Sequence, residues 1–369
     1  MMAKKVLVVV GTRPEAIKLA PLILALKQCD WARCEVVLTG QHKDMVIPLL
    51  ADFAIEADHD LGPMRPNQTL SEVTAHILQK IDALLIDKRP DVVIGQGDTA
   101  SVLATSMACF FQQIPFAHVE AGLRTGNPKL PFPEEMNRVL TGRLATWHFA
   151  PTDVAQAHLL AENVPAQSIW LTGNTVIDAL KFMVAKPSPA LPVREGRNFI
   201  LITAHRRESL GEALDRVCQA IAQLARAHPE LDFVFPVHPN PVVRQSTHRH
   251  LVNMPNVMLI EPCSYPVFCW LMYRSLFILS DSGGVQEEAP ALGKPVLVLR
   301  DETERPEALA IGATKLVGTK VQTIVETAEL LLADPLAYEQ MSTAGSPYGD
   351  GQAANLIVQA LAHALPQCD

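Results

Sequence analysis

Three carboxylates and one imidazole are placed where they could move protons. Asp98 lies in GQGDTAS, Glu120 in HVEAGLRT, Glu134 in PFPEEMNR and His205 in TAHRRE. Carboxylates that cluster raise one another's pKa, so one can hold a proton while its neighbour is ionised near neutral pH. Taken singly, each is more often a helix cap or a surface ion pair. Their joint position just after apolar, strand-like runs favours an acid–base site. His238 in PVHPNP sits in a Pro-rich loop, where structural, ligand-contact and catalytic roles all stay open. Arg206 and Arg207 could counter phosphate charge or pair with Glu208.

A second group of residues suits an anion. SDSGGVQEE (280–288) follows the apolar run LFIL and opens a helical pattern. Its two glycines permit close approach of a phosphate. The amides of Ser282, Gly283 and Gly284 would face that phosphate with the helix dipole behind them. The plainer alternative is that Asp281 or Ser282 caps the helix and the glycines make a tight turn. Glu288, one turn and a half further on, could accept two hydrogen bonds from ribose hydroxyls. In GTRPEAIK (11–18), Pro14 suits the first helical position. Arg13 and Lys18 then bring two cations to a helix start, where the dipole is already positive. That is an electrostatic cost unless an anion binds.

One match misleads. Gly95-Gln96-Gly97-Asp98-Thr99-Ala100 fits G-x-G-x-x-A, with Glu120 some twenty residues beyond, as a dinucleotide fingerprint would require. Asp98 would put a carboxylate where a pyrophosphate belongs, and the unit is not the first strand of its domain. No tyrosine starts a Y-x-x-x-K pair either. A nicotinamide cofactor is therefore not expected.

The elements that must position these loops are short β-branched runs alternating with helical patterns. KVLVVVG (5–11), EVVLTG (35–40), DVVIGQG (91–97), PFAHVEAG (115–122) and TWHFAP (146–151) read as parallel strands buried on both faces. After AKPSPALPVREGR (185–197), which reads as a linker, the alternation resumes with NFILITA, LDFVFPVH, NVMLIEP, LFILSDSGG, KPVLVLR and TKLVGT. The expected fold is α/β, with two Rossmann-like, doubly wound parallel-sheet domains facing a cleft. The first would span 1–184 and the second, nucleotide-binding one 198–352, with the C-terminal helix (353–369) packing back on the first. Ligands of such sheets bind beyond the carboxyl ends of the strands, which is where every motif above falls.

Composition narrows the function classes. The 369 residues are 49% hydrophobic and 19% charged, enough for two cores. A net charge of −8 leaves no basic footprint for nucleic acid. No apolar run approaches the ~18 residues of a membrane span, and Thr12, Arg13 and Glu15 stand where a signal-peptide cleavage site would be. Seven scattered cysteines without a C-x-x-C pair suggest reduced thiols and a cytoplasmic setting. The histidines sit singly on separate loops, so no metal site is expected.

Read together, GTRPEAIKLAPL, TGQH, GDT, HVEAGLRT, PEEMNR, LTGNTVIDAL, HRRE, PVHPNP, SDSGGVQEEAP, GKPVLVLRDETERPEA and PYGDGQA run the length of the chain. The chain thereby resembles the non-hydrolysing UDP-N-acetylglucosamine 2-epimerase family, whose fold is that of GT-B glycosyltransferases. The resemblance implies anti elimination of UDP to 2-acetamidoglucal and re-addition to the opposite face. It further implies no cofactor and a homodimer. Carried over by motif, Asp98, Glu120 and Glu134 become the acid–base carboxylates, with His205 supporting departure of UDP. Arg13, Lys18, Ser282, Gly283, Gly284 and Glu288 become UDP contacts. Which carboxylate takes the C2 proton stays open. Some bacterial members carry an allosteric substrate site, whose motifs here hold Gln41, His42, Gln68, Glu135, Arg207 and His238. Asp44 stands where some allosteric members have a glutamine and Asn67 where they have a basic residue, which weighs against activation by substrate; Ala204 replaces the glycine common before HRRE, a change that would shift His205. A hydrolysing relative and a GT-B glycosyltransferase are the alternatives.

Overall fold

The computed structural model describes residues 3–62, 64, 68–204 and 211–365. The chain forms two compact units: Met1–Ala179 with Tyr348–Asp369, and Leu180–Pro347. The division falls inside the helix Thr175–Ala185, ahead of the Pro-rich stretch.

The first unit is built on β1 (Lys4–Val10), β2 (Ala32–Leu38), β3 (His59–Asp60), β4 (Val92–Gln96), β5 (Phe116–Val119), β6 (Trp147–Ala150) and β7 (Ile169–Leu171). They lie in the order β3-β2-β1-β4-β5-β6-β7, and every pairing is parallel. Residues 6–10 are at most 3% exposed, as a strand covered on both faces requires. Five of the seven strands coincide with the runs expected from sequence. The other two, β3 and β7, have two and three residues, too few for a periodic signal.

Register decides which loops meet. Val8 pairs with Ile94 and Gln96 with Val119. The ends of β1, β4 and β5 therefore lie level, bringing Gly11, Gly97 and Glu120 to one edge. The chain's connections diverge on either side of β1 and β4, the switch point where open α/β sheets bind ligands.

Helix Arg13–Lys27 follows β1, with Pro14 in its first turn, and packs against the C-terminal helix Ala353–Ala364. The latter's first amides, Ala353 and Ala354, donate to the buried Asp178 carboxylate at 3.3 and 2.9 Å. An acidic group at a helix N-terminus satisfies amides that have no partner within the helix.

The second unit carries β8 (Phe199–Thr203), β9 (Asp232–Pro236), β10 (Val257–Ile260), β11 (Ile278–Ser280), β12 (Val296–Val298) and β13 (Thr314–Leu316). Their order, β10-β9-β8-β11-β12-β13, is again parallel throughout. All six coincide with the expected runs. The amphipathic helix Glu212–Ala227 buries Leu214, Val217, Cys218, Ile221 and Leu224 against this sheet's Phe233, Phe235 and Leu279. Among the described residues no helix is long and apolar enough to cross a membrane.

Candidate active site

In the first unit the site grows from the loop after β4. Gly97 adopts φ +80°, which turns the chain sharply out of the strand. The carbonyl of Gly97 lies 2.7 Å from Nε2 of buried His118 on β5. A carbonyl only accepts, so that nitrogen carries the ring proton. Burial holds the imidazole down to about 3, so it stays neutral. Asn137 Nδ2 donates to the carbonyl of Asp98 at 2.9 Å. Thr99 caps the next helix, accepting from Val102 N at 3.3 Å. The backbone on each side of Asp98 is thus anchored.

The Asp98 carboxylate meets Arg138 Nη2 at 2.6 Å. Burial pushes its pKa up; Arg138 opposes that, Glu120 adds to it, Lys18 opposes it and Glu134 adds again. A carboxyl so placed is suited to holding a proton and giving it up. Glu134, half-buried at the start of helix Glu134–Leu144, is therefore within electrostatic reach of Asp98.

Glu120 directly follows β5 in the left-handed region at φ +61°, a strained conformation for a residue other than glycine. Its side chain accepts from Lys18 Nζ at 2.5 Å, from Asn174 Nδ2 at 2.9 Å and from Gln96 Nε2. A carboxylate gripped by three donors from three elements has one orientation. The cation Lys18 and two of the carboxylates expected from sequence thus converge at the switch point.

The remaining first-unit residues fall into distinct settings. Arg13 is exposed on the first turn of its helix, its side chain making no hydrogen bond to the described residues. Gln41 Oε1 accepts from Ser101 Oγ at 2.7 Å, and exposed His42 donates its amide to Gly11 O at 3.0 Å. Gly11 itself has no room for a side chain: a Cβ would lie 2.3 Å from Ser101 Oγ and 2.8 Å from Thr39 Oγ1. Gln68 is half-buried. Glu135 is 3% exposed, and its carboxylate receives the amides of Thr125 and Gly126 at 3.0 Å, with Arg138 at 3.6 Å. Asp44 is exposed, while His205, Arg207 and Asn67 lie outside the described residues. Gly95 is needed for packing, since a Cβ there would lie 2.7 Å from the Phe116 ring. The G-x-G match therefore reflects sheet packing at Gly95 and a turn at Gly97.

In the second unit Ser282 begins the helix Gly283–Glu288, but its hydroxyl makes no capping bond. The amide of Ser282 donates to Ser280 Oγ at 3.0 Å, and Ser280 Oγ is 2.6 Å from Thr203 Oγ1. Gly283 is buried and Gly284 exposed. Glu288, 6% exposed, accepts from Tyr265 Oη at 2.8 Å. Burial and then Glu288 hold the Tyr265 pKa well above its usual value, so the phenol stays protonated and donates. Gln286 and Glu287, also buried, accept from Thr303 Oγ1 at 2.5 Å and from Arg305 Nε, anchoring the loop after β12. His238 is exposed, its Nδ1 accepting from Asn240 N at 3.2 Å. Among the described residues no group of histidine, cysteine and carboxylate side chains could hold a metal ion.

A family model described as UDP-N-acetylglucosamine 2-epimerase matches residues 24–362. The chain belongs to that family. A probable UDP-N-acetylglucosamine 2-epimerase of Ralstonia nicotianae is 50% identical, with 97% of this chain and 98% of that protein covered. The UDP-N-acetylglucosamine 2-epimerase of Escherichia coli K12 is 49% identical, at 97% and 98% coverage. A crystal structure of the Neisseria meningitidis UDP-GlcNAc 2-epimerase bound to UDP-GlcNAc superposes with a TM-score of 0.88 at 47% identity, covering 97% of this chain and 100% of that one. Two Rossmann-like, GT-B-like units are thus the family's architecture as well as this chain's.

Several residues of the epimerase motifs gain meaning only in three dimensions. Gln96 lies inside GQGD, Arg138 inside PEEMNR, Asn174 inside LTGNT and Glu15 inside GTRPE, yet none stands out by type or spacing. Tyr265 lies in no motif; only its contact with Glu288 marks it.

Proposed function

We propose that this chain inverts C2 of UDP-N-acetylglucosamine, giving UDP-N-acetylmannosamine reversibly. A carboxylate removes the C2 proton, the C1–O bond breaks, and its electron pair leaves on the β-phosphate of UDP. The resulting 2-acetamidoglucal takes a proton at C2 from the opposite face, and UDP returns to C1. The C2 hydrogen is not adjacent to a carbonyl, so its removal is feasible only as UDP departs. Groups that hold UDP then act in the chemistry as well as in binding.

The observation that carries this reading is the buried Glu120 and the half-buried Asp98 brought together at the first sheet's switch point, with Lys18 beside them. Inversion requires a base on one face and an acid on the other, exchanging roles in the reverse direction. Two carboxyls in unlike surroundings meet that need, and Glu134 is a third within reach. Arg13, Lys18, Ser282, Gly283, Gly284 and Glu288 are proposed to bind UDP, Glu288 through the ribose. His205 is proposed to assist departure of UDP. Gln41, His42, Gln68, Glu135, Arg207 and His238 are proposed as a second, regulatory site for substrate. Commitment of Glu135 to the Thr125–Gly126 backbone favours a role in shaping that loop. The proposed setting is the cytosol, in keeping with the free thiols of Cys29, Cys34, Cys109, Cys218, Cys263 and Cys269. The proposed assembly is a homodimer, which light scattering would read as twice the chain mass.

Incubation with UDP-N-acetylglucosamine alone in heavy-oxygen water tests the reaction. The reading requires an unlabelled UDP-N-acetylmannosamine product. Labelled free sugar with UDP would mean hydrolysis, and absence of turnover without an acceptor would mean glycosyl transfer.

A further inference from the structure

The spacing Thr-x-x-Glu stands at the start of two helices of this chain, to different ends. Thr69 and Glu72 form a full capping box at the exposed start of helix Leu70–Lys88: Glu72 N donates to Thr69 Oγ1 at 3.2 Å, and Thr69 N donates to Glu72 Oε2 at 2.7 Å. Thr12 and Glu15 have the same spacing on helix Arg13–Lys27, but Thr12 makes no capping bond. Glu15 is instead 1% exposed. Its Oε2 accepts from Gly11 N at 2.6 Å. Its Oε1 accepts from Thr12 Oγ1 at 3.0 Å and from Thr99 Oγ1 at 2.7 Å. Thr99 is 84 residues away in sequence and directly follows Asp98. A helix cap has no use for that long-range bond, nor for burial.

We infer that Glu15 is a positioning residue that ties the Asp98 loop to the start of the helix carrying Arg13 and Lys18, and that it takes up a proton from solvent when a diphosphate binds there. The second half rests on the function proposed above. Burial drives the Glu15 pKa up to about 7, against its hydrogen bonds from Thr99, Gly11 and Thr12. Its hydrogen-bond partners are amides and hydroxyls, with no cation among them. The charged or titratable groups near the carboxyl ends of β1, β2, β4 and β5 are Arg13 and Lys18 on its own helix, His42, Lys43 and Asp44 after β2, Asp98 after β4 and Glu120 after β5; Lys27 lies at the far end of its helix, and helix Ala100–Phe111 carries only the buried thiol of Cys109. Lys18 is engaged by Glu120, and Asp98 by Arg138. A bound diphosphate adds negative charge beside a carboxyl that ionises near neutral pH, which favours its protonated form. Either form suits the pocket, because both threonine hydroxyls can turn to donate or to accept.

The sign follows from linkage. Below about pH 7 Glu15 is protonated with or without ligand, and affinity is full. As pH rises through and above 7 the free protein ionises first, and UDP affinity falls about tenfold for each unit by which binding raises the pKa. Glu15→Gln cannot ionise, so it should retain affinity at pH 8.5 and there bind UDP more tightly than the wild type. Calorimetric titration with UDP at pH 7.5, in buffers of different ionisation enthalpy, counts the protons taken up. The wild type should take up more than Glu15→Gln, and UDP's own titration cancels in that difference.

Thr99→Ala and Thr99→Ser provide an independent pair. Loss of the hydroxyl removes a bond that favours the ionised carboxyl, so the midpoint of the UDP pH profile should move up in Thr99→Ala and return in Thr99→Ser. In addition, kcat should fall ~10-fold in the alanine variant as the Asp98 loop loses its tie. UDP binding with equal proton counts in wild type and Glu15→Gln, or an unmoved midpoint in Thr99→Ala, would overturn the inference alone. No UDP binding by either protein would overturn the proposed site and the inference with it.

Discussion

At the switch point of the first sheet the polar groups are side chains held by other side chains: Lys18 on Glu120, Arg138 on Asp98, Glu15 under Thr99. At that of the second, among the described residues, they are a serine hydroxyl without a capping bond, the backbone of two glycines, and a buried glutamate held by a tyrosine, with Glu287 and Arg305 as the ion pair. Yet the order β3-β2-β1-β4-β5-β6 of the first sheet is repeated as β10-β9-β8-β11-β12-β13 in the second. Topology therefore decides where a ligand can sit, and a handful of loop residues decide what is done there. A network of paired ionisable groups suits proton transfer. Amides, hydroxyls and an acceptor suit a nucleotide that must be held and released.

That contrast can be broken in several ways. The largest expected effect is in the first unit: Asp98→Asn should lower kcat by ~100-fold or more while UDP affinity stays within about twofold. Near-normal turnover would remove Asp98 from the chemistry. In the second unit the order should reverse. Glu288→Ala should weaken UDP about tenfold or more in calorimetry, since it deletes an acceptor and strands the Tyr265 hydroxyl. Ser282→Ala should weaken UDP by only about threefold, the worth of a modest hydrogen bond. Equal losses of kcat and affinity in all three variants would erase the distinction between the units. Gly95→Ala is the control for the misleading fingerprint. It should cost about 1–3 kcal/mol of stability by crowding Phe116, read as a lower melting temperature, and leave the UDP affinity of the folded protein unchanged.

Much of this architecture was visible in the chain itself. Runs such as KVLVVVG and DVVIGQG carry enough consecutive β-branched residues to mark buried parallel strands. The strands that left no trace are β3 and β7, short edge segments created by pairing with β2 and β6 rather than by their own composition. At the site, Asp98 and Glu120 could be singled out because they sit in loops directly after apolar strands, and Lys18 because a cation at a helix start is an electrostatic cost unless an anion binds. Their supports could not. Asn174 reaches Glu120 across 54 positions, Thr99 reaches Glu15 across 84, and His118 grips the Gly97 carbonyl with an unremarkable sequence spacing. Each such contact depends on the register of a parallel sheet, which brings strand ends level without leaving a local pattern. Glu15 was hidden for a further reason: its spacing from Thr12 is that of an ordinary cap.

The most direct test of the central claim is proton NMR of UDP-N-acetylglucosamine incubated with the protein in deuterated water. Acid–base inversion at C2 predicts a UDP-N-acetylmannosamine signal growing in alongside substrate, with deuterium replacing the C2 proton in the product. A product that keeps its C2 proton, or no second UDP-sugar at all, would contradict it.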